Sequence, residues 1–305
     1  MTPKVLVHFD SGRIQGGARA ILGAAQISLD TVEIDEMTMP PQQTHFEFVY
    51  LKLAEDDERL PKLLELLRQH GLDWTEHRLD DYTDEELDNA RLLFLRPNRE
   101  CEVDGGSEFG TTYNIWGACP TCGAGARQTS ALFLDGKRDE LPKLKGHRAA
   151  CTYREAVFVD DRIATELERL EPVGLVFHQV YALMPDKRQV KLPWKQLSAD
   201  RILPPMSPHT TGISHSQPCA DCSRSGFTTR GKEPNRIVYR ASDLEGAGDI
   251  NLTWEGNGAG EIDFGDPRKW FVPVPWLLVT PKVMRVFRAA GITEFEWVPI
   301  RVVDE

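Results

Sequence analysis

The chain has 305 residues, of which 41% are hydrophobic and 27% charged, a composition typical of a folded globular protein and not of a disordered one. Its formal net charge of −11 disfavours general binding to the phosphate backbone of nucleic acids, and suits either solubility or a basic protein partner. The chain has no apolar run long enough to cross a bilayer, and its first residues lack the apolar core of a secretory signal. We therefore expect a cytoplasmic protein with no membrane span.

The N-terminal part of the chain, residues 1–99, is predicted to form a small α/β unit. Residues 46–53 alternate apolar and polar side chains, as a half-buried strand does. Leucines then recur at three- and four-residue spacing over residues 60–70, which predicts an amphipathic helix. A second helix is predicted to begin at Thr83 with a capping-box pattern and to run to about residue 93.

The rest of the chain, residues 100–305, is predicted to be an α+β domain with mixed sheets and amphipathic helices. A strand end and helix over residues 158–170 lead into an alternating strand over residues 173–180. The same pattern returns at residues 278–290 and 293–300. A duplicated unit would explain this repetition, and so would ordinary β-α-β patterning without common ancestry.

Four of the six cysteines form two CxxC pairs in glycine-rich, turn-forming sequence, namely Cys119, Cys122, Cys219 and Cys222. Two intervening residues allow both thiolates of a pair to face one ion, and zinc takes four ligands at the corners of a tetrahedron. In a reducing compartment such pairs bind metals more often than they form structural disulfides. We therefore predict one structural Zn²⁺ per chain, held by split zinc-ribbon-like knuckles with residues 123–218 inserted between them.

Three other interpretations of these cysteines remain open. A redox CxxC needs a thiol at a helix N-terminus, and neither pair precedes a convincing helix. A deaminase-like zinc enzyme carries H-x-E and P-C-x-x-C, and the sequence contains both His45-Phe-Glu47 and Pro218-Cys-Ala-Asp-Cys222, although they lie far apart. Two separate zinc sites completed by histidines are the third possibility, and the candidate histidines are His147, His209 and His215.

The remaining chemistry-bearing residues give weaker signals. Cys101 and Cys151 stand alone and are expected to be buried small hydrophobes. The sequence contains no nucleophile elbow, Walker-type loop, HExxH motif or dinucleotide fingerprint, so we assign no catalytic residues and do not expect an enzyme. A zinc ribbon that binds nucleic acid would need a local basic face, and the candidates for it are Arg224, Arg230, Lys232 and Arg236.

Two CxxC(G) motifs in a chain of this size resemble the myxobacterial double-CxxCG paralogous family. The first motif, Cys119-Pro-Thr-Cys122-Gly123, has the full pattern, whereas the second, Cys219-Ala-Asp-Cys222-Ser223, has serine in place of the final glycine. The closing segment, residues 279–299, is also similar to the C-terminal helix and strand of that family. The resemblance implies a cytoplasmic, non-enzymatic immunity protein that binds and neutralises a cognate toxin. The charge of −11 is compatible with a basic toxin, and the sequence predicts no particular oligomeric state.

Overall fold

The computed structural model of the protein describes residues 1–39, 44–98, 101–137, 140–229 and 233–304. The chain divides into two compact units. The N-terminal unit is Met1–Thr83 with Gly231–Asn235, and the C-terminal unit is Asp84–Arg230 with Arg236–Glu305.

The N-terminal unit is a sheet with strand order β2-β3-β1-β4, in which neighbouring strands are antiparallel. The chain order β-α-β-β-α-β, with β1 and β3 in the middle of the sheet, is the split β-α-β topology of ferredoxin-like folds. Its elements are β1 (Thr2–Asp10), α1 (Gly17–Ala24), β2 (Val32–Met39), β3 (Thr44–Ala54), α2 (Arg59–Gln69) and β4 (Trp74–Asp81). The strand predicted at residues 46–53 and the helix predicted at residues 60–70 are confirmed as β3 and α2.

Both helices of the N-terminal unit pack on the same face of its sheet. The leucine stripe of α2, Leu60, Leu63 and Leu67, is buried together with Ile21 and Leu22 of α1. Strands β1 and β3 supply the other side of this core through alternate residues, as the two-residue period of a strand requires. These strand residues are Val5, Val7, Phe9, Val49, Leu51 and Leu53.

The first half of the C-terminal unit contains the short helix α3 and all six strands of one mixed sheet. Its elements are α3 (Asp84–Asp88), β5 (Leu93–Pro97), β6 (Glu102–Val103), β7 (Tyr113–Asn114), β8 (Arg127–Gln128), β9 (Leu132–Asp135), β10 (Ala149–Thr152), β11 (Val157–Asp160), α4 (Asp161–Arg169), β12 (Leu175–Leu183) and β13 (Gln189–Ala199). The sheet has the order β6-β10-β11-β13-β12-β9, and β7 pairs separately with β8.

The second half of the C-terminal unit contains most of the other mixed sheet. Its elements are β14 (Ser214–His215), β15 (Phe227–Thr228), β16 (Val238–Arg240), β17 (Ile250–Asn257), β18 (Val274–Val279), α5 (Pro281–Ala289), β19 (Phe295–Pro299) and β20 (Arg301–Val303). The sheet has the order β14-β15-β17-β18-β5-β19, and β16 pairs separately with β20. The α+β class with mixed sheets is therefore confirmed.

The C-terminal unit includes strand β5, so the two units meet at residues 83 and 84 and not at residue 99, where the sequence suggested the boundary. Strand β5 lies between β18 and β19 and pairs with both, so it belongs to the C-terminal unit, which begins at Asp84. For the same reason the helix predicted to reach residue 93 is too long. Helix α3 ends at Asp88, because the buried residues from Leu92 onwards are extended and enter the sheet, and this pairing overrides local helix propensity.

The two predicted strand–helix–strand segments are present as β11-α4-β12 and β18-α5-β19. In each sheet the two strands are parallel to one another and are separated by one antiparallel strand, β13 in the first sheet and β5 in the second. The topology of the segments is therefore the same. However, β13 directly follows its segment, whereas β5 precedes its segment by most of the unit, so one contiguous duplicated unit does not describe the arrangement.

Candidate metal centre

The two cysteine pairs lie in the loops of two short hairpins in the C-terminal unit. The first knuckle, Cys119–Gly123, lies between the paired strands β7 and β8. The second knuckle, Cys219–Ser223, lies between the paired strands β14 and β15. In both hairpins the strands are only two residues long, so the loops themselves contain most of the local structure.

The four sulfur atoms converge although residues 123–218 separate the two motifs. The Cys119 and Cys219 Sγ atoms are 3.7 Å apart, and the Cys122 and Cys222 Sγ atoms are 3.4 Å apart. The four sulfurs all lie within 4.8 Å of one another, and among the described residues this is the group identified as able to hold a metal ion. These separations are far longer than a disulfide bond of about 2.05 Å, and all four thiols are free.

The spacing of the sulfurs matches what a tetrahedral metal requires. Four sulfurs at about 2.3 Å from a zinc ion lie about 3.8 Å from one another, because a tetrahedron fixes the ratio of edge to radius. The Cys119–Cys219 and Cys122–Cys222 separations of 3.7 and 3.4 Å are close to that value. Cys122 and Cys219 are buried, with 1% and 8% of their surface exposed, and Cys119 and Cys222 are partly buried. The cluster is therefore enclosed by protein on much of its surface.

Each knuckle turns at the residue after its second cysteine, and both of these residues have left-handed backbone. Gly123 has φ of 72° and Ser223 has φ of 55°. In each loop this residue donates its backbone N–H to the carbonyl of the first cysteine, at 2.8 Å in the first knuckle and 2.9 Å in the second. The serine that departs from the CxxCG pattern therefore adopts the same turn as the glycine, in a region that disfavours side chains with a Cβ.

Direct contacts also join the surroundings of the two knuckles. The Thr121 hydroxyl donates a hydrogen bond to the Asp221 carboxylate, which links the central residues of the two loops. The segment after β17 closes over the first knuckle, since the Ile262 backbone N–H donates to the Thr121 carbonyl at 3.2 Å. A Cβ added at Gly260 would lie 2.0 Å from the Cys122 carbonyl oxygen, so this approach requires glycine. No sequence pattern indicates these contacts, because each joins residues far apart in the chain.

The local electrostatics differ between the thiols. Burial acts to raise the pKa of Cys119, but hydrogen bonds from the backbone N–H groups of Cys122 and Thr121 outweigh it and lower that pKa to about 7. Burial raises the pKa of Cys122 and that of Cys222. Backbone N–H groups aimed at sulfur favour the thiolate, which is the form that binds metals.

None of the candidate histidines belongs to the cysteine cluster, and two of them have other side-chain partners. His215 Nε2 lies 2.9 Å from the Ser225 carbonyl oxygen, and the His215 ring stacks on Phe227 with centroids 3.8 Å apart. His147 Nδ1 lies 2.5 Å from a carboxylate oxygen of Glu294. The metal-type group found among the described residues contains cysteines alone, with none of His147, His209 and His215.

The other predicted candidates are placed as follows. In the N-terminal unit the Glu47 carboxylate accepts hydrogen bonds from the Ser11 hydroxyl and the Ala18 backbone N–H, so it caps helix α1.

Of the residues of the candidate basic face, Arg224 lies over the Trp254 ring, with its guanidinium carbon 4.9 Å from the ring centroid, and Arg230 and Lys232 are outside the described residues. Cys101 and Cys151 are buried as predicted, and burial raises the pKa of Cys101 to about 11.

A cavity of about 260 Å³ lies beside the first knuckle, and Gly125 and the residues that follow form part of its wall. Its lining is mixed, with apolar strand residues and polar ones that include His178 and the charged Arg127, Glu155 and Asp200. The side-chain amides of Gln128 and Gln196 are paired there at 2.7 and 3.0 Å. Burial lowers the pKa of His178. No sequence motif indicated this cavity, because its walls come from both mixed sheets.

No protein-family model matches the chain, and no curated protein matches it in sequence. Among the described residues no helix is both long enough and apolar enough to cross a membrane.

Proposed function

We propose that Cys119, Cys122, Cys219 and Cys222 bind one zinc ion and that this ion is structural. Convergence of the four sulfurs is the observation that carries the proposal. An all-cysteine set favours a thiophilic ion, and zinc is the ion most often held by four cysteines in structural sites. Four protein ligands also fill the tetrahedron, whereas a catalytic zinc keeps a position open for water or substrate.

A zinc ion at this position would fasten together two parts of the chain that are distant in sequence. The hairpins have short strands, and the Thr121–Asp221 hydrogen bond links the central residues of their loops. The free energy of metal binding would therefore contribute directly to the stability of this region, as in other small metal-stapled structures. This role leaves the acting surface of the protein elsewhere.

For the protein as a whole we propose a non-enzymatic binding function of the immunity type, in which the chain neutralises a cognate toxin in the bacterial cytoplasm. The double-CxxCG resemblance supports the type of function, and the net charge of −11 supports a basic toxin as partner. The charge is concentrated in residues 1–83, which carry 15 acidic and 8 basic side chains and so a net charge of −7.

The test is a rescue experiment. Each protein encoded beside the gene is expressed in a sensitive host with and without this chain, and survival is measured. Restored growth for one of them, together with co-purification of the two proteins, is the expected result. Failure to protect against every neighbouring gene product would refute the immunity function. Retained protection by a variant that binds zinc but cannot bind the toxin would also refute it, because neutralisation requires the complex.

A further inference from the structure

One face of the N-terminal sheet carries a row of aromatic side chains that the unit's own helices do not cover. Helices α1 and α2 both pack on the other face, where the strand residues are fully buried. The uncovered face includes Leu6 and His8 of β1 and Phe48 and Tyr50 of β3, and each of these side chains is only partly buried. We refer to Leu6, His8, Phe46, Phe48 and Tyr50 as the aromatic face.

The rings of the aromatic face form a contiguous row, with two stacked pairs joined by a contact tilted at 34° between Phe48 and His8. Phe46 and Phe48 have parallel rings with centroids 5.8 Å apart. The Phe48 centroid lies 5.8 Å from that of His8, which in turn stacks on Tyr50 at 4.4 Å with an interplanar angle of 11°. The sheet register explains this row, because His8 lies directly opposite Tyr50 in the pairing of β1 with β3. A contiguous aromatic surface is thus fixed in place by the strands beneath it.

Acidic side chains lie along the β2 edge of this row. Asp35 is the direct cross-strand neighbour of Phe48, and Glu33 is that of Tyr50, so both carboxylates share the face with the rings. Both acidic side chains are exposed. Burial, and then the charges of Asp35 and Glu33, raise the pKa of Tyr50, which agrees with their closeness to the ring.

Stacked aromatics on the middle strands of a sheet can bind either nucleic-acid bases or cationic side chains. Nucleic-acid binding needs a positive groove that follows the phosphate backbone. Here Glu33 and Asp35 lie directly beside the rings, and Lys52 lies on the same face, while Lys4 is paired with Asp81. The charge around the rings is therefore mainly acidic, in a segment of net charge −7. Arginine and lysine side chains, in contrast, are attracted both by ring faces and by carboxylates. The charge therefore selects a basic partner.

We propose that the aromatic face, with Glu33 and Asp35 at its edge, binds an arginine- or lysine-rich segment of a protein partner. The rings supply the aromatic contact for guanidinium or ammonium groups, and the two carboxylates pair with cations at the rim. The proposal builds on the proposed binding function, in which the partner would be the toxin, and it names the surface and the chemistry of recognition.

The experiment uses the full-length, zinc-loaded protein and a short fluorescent peptide of alternating arginine and threonine, followed by fluorescence anisotropy. Matched probes are the same peptide with glutamate in place of arginine and a short poly-uridine RNA. Binding of the arginine peptide alone, weakened by added salt, is expected. Phe48→Ala should lower its affinity about three- to tenfold, since one aromatic contact is removed.

A second variant guards against a loss of folding in Phe48→Ala. Glu33→Lys/Asp35→Lys changes only exposed side chains and should lower affinity by about tenfold or more. Asp73→Lys, in the exposed turn before β4, is the control for a change of charge away from the face and should alter affinity by less than about twofold. Circular dichroism and thermal melting establish that each variant is folded.

The outcomes separate this inference from the proposed function. No binding of the arginine peptide, tighter binding of the RNA, or an equal effect of Asp73→Lys and Glu33→Lys/Asp35→Lys would each overturn the aromatic face as a basic-partner site. Toxin neutralisation that survives both face variants would overturn it while leaving the immunity function intact. Failure of neutralisation by the wild type, with the variant pattern above still observed for the peptide, would refute the immunity function and support the face.

Discussion

Replacing Ser223 with glycine should stabilise the protein, because the structure places this serine in a left-handed turn. Its φ of 55° corresponds to that of Gly123, which occupies the same position in the first knuckle with φ of 72°. An L-residue with a Cβ costs about 1–2 kcal/mol in this region. The greater freedom of glycine in the unfolded chain offsets about 0.4–1 kcal/mol of that gain.

The net expectation for Ser223→Gly is a gain of about 0.5–1 kcal/mol in the free energy of unfolding. For a unit of this size that corresponds to a rise of about 1–4 °C in Tm. The reverse change in the other knuckle, Gly123→Ser, should cost about 2–4 kcal/mol, because strain adds to overpacking. A Cβ there would lie 2.7 Å from Ile262 Cδ1.

The assay is urea unfolding of the zinc-loaded protein, followed by circular dichroism, with Tm from calorimetry. Ser216→Gly is the matched control, since Ser216 lies in the same hairpin and is exposed but has no left-handed backbone. That control should lose about 0.5–1 kcal/mol through chain entropy alone. Loss of stability in Ser223→Gly comparable to that in Ser216→Gly would refute the assignment of the same turn to both knuckles.

The remaining predictions concern the metal, one buried acid and one close backbone approach. Removing zinc with a chelator should lower Tm and the free energy of unfolding, by about 4 kcal/mol if free zinc had been about a thousandfold above its Kd, and re-adding zinc should restore both. Burial raises the pKa of the Glu255 carboxyl, so the folded protein favours the protonated form of this side chain. The resulting contribution to the free energy of unfolding is complete below the unfolded pKa and is lost as pH rises through the folded pKa. Glu255→Gln should therefore stabilise the protein once pH exceeds the unfolded pKa of the carboxyl, by a margin that grows from about pH 4 until the folded pKa is passed and is constant above it. Urea unfolding repeated across this range measures the margin, and a margin that is the same from acid to neutral pH would contradict the reasoning. Gly226→Ala should cost about 2 kcal/mol or more, because the new Cβ would lie 1.9 Å from the Gln217 carbonyl oxygen at φ of 87°. Gly146→Ala, at φ of 92° with nothing within 4 Å, should cost only the backbone strain of about 1 kcal/mol, and equal losses would refute the clash.

Local patterns in the sequence predicted those elements whose side-chain period is strong. The leucine spacing of α2 and the helix and strand periods around α4 and α5 each correspond to an element in the structure. The starts of these two helices also have local causes, since Asp160 caps α4 through the Ile163 backbone N–H and Pro281 occupies the first turn of α5.

The features that the sequence could not supply depend on pairing between distant segments. The acidic residues at the start of α3 favour a helix, but the residues after α3 form strand β5, which pairs with β18 and β19. Both partner strands lie near the C-terminal end of the chain, far from β5 in sequence. The meeting of the two cysteine pairs is of the same kind, because spacing along the chain does not fix spacing in the fold. The glycine requirement at Gly260 likewise appears only when the Cys122 carbonyl is placed against it.

The zinc content of the purified protein tests the central claim most directly. Elemental analysis together with native mass spectrometry should give one zinc per chain for the wild type. Cys119→Ser and Cys219→Ser should each lose it, since each removes one corner of the same tetrahedron, while Cys101→Ser, at a buried cysteine outside the cluster, should retain it. Two zinc ions per chain, none, or full retention in either knuckle variant would contradict a single site shared by the two knuckles.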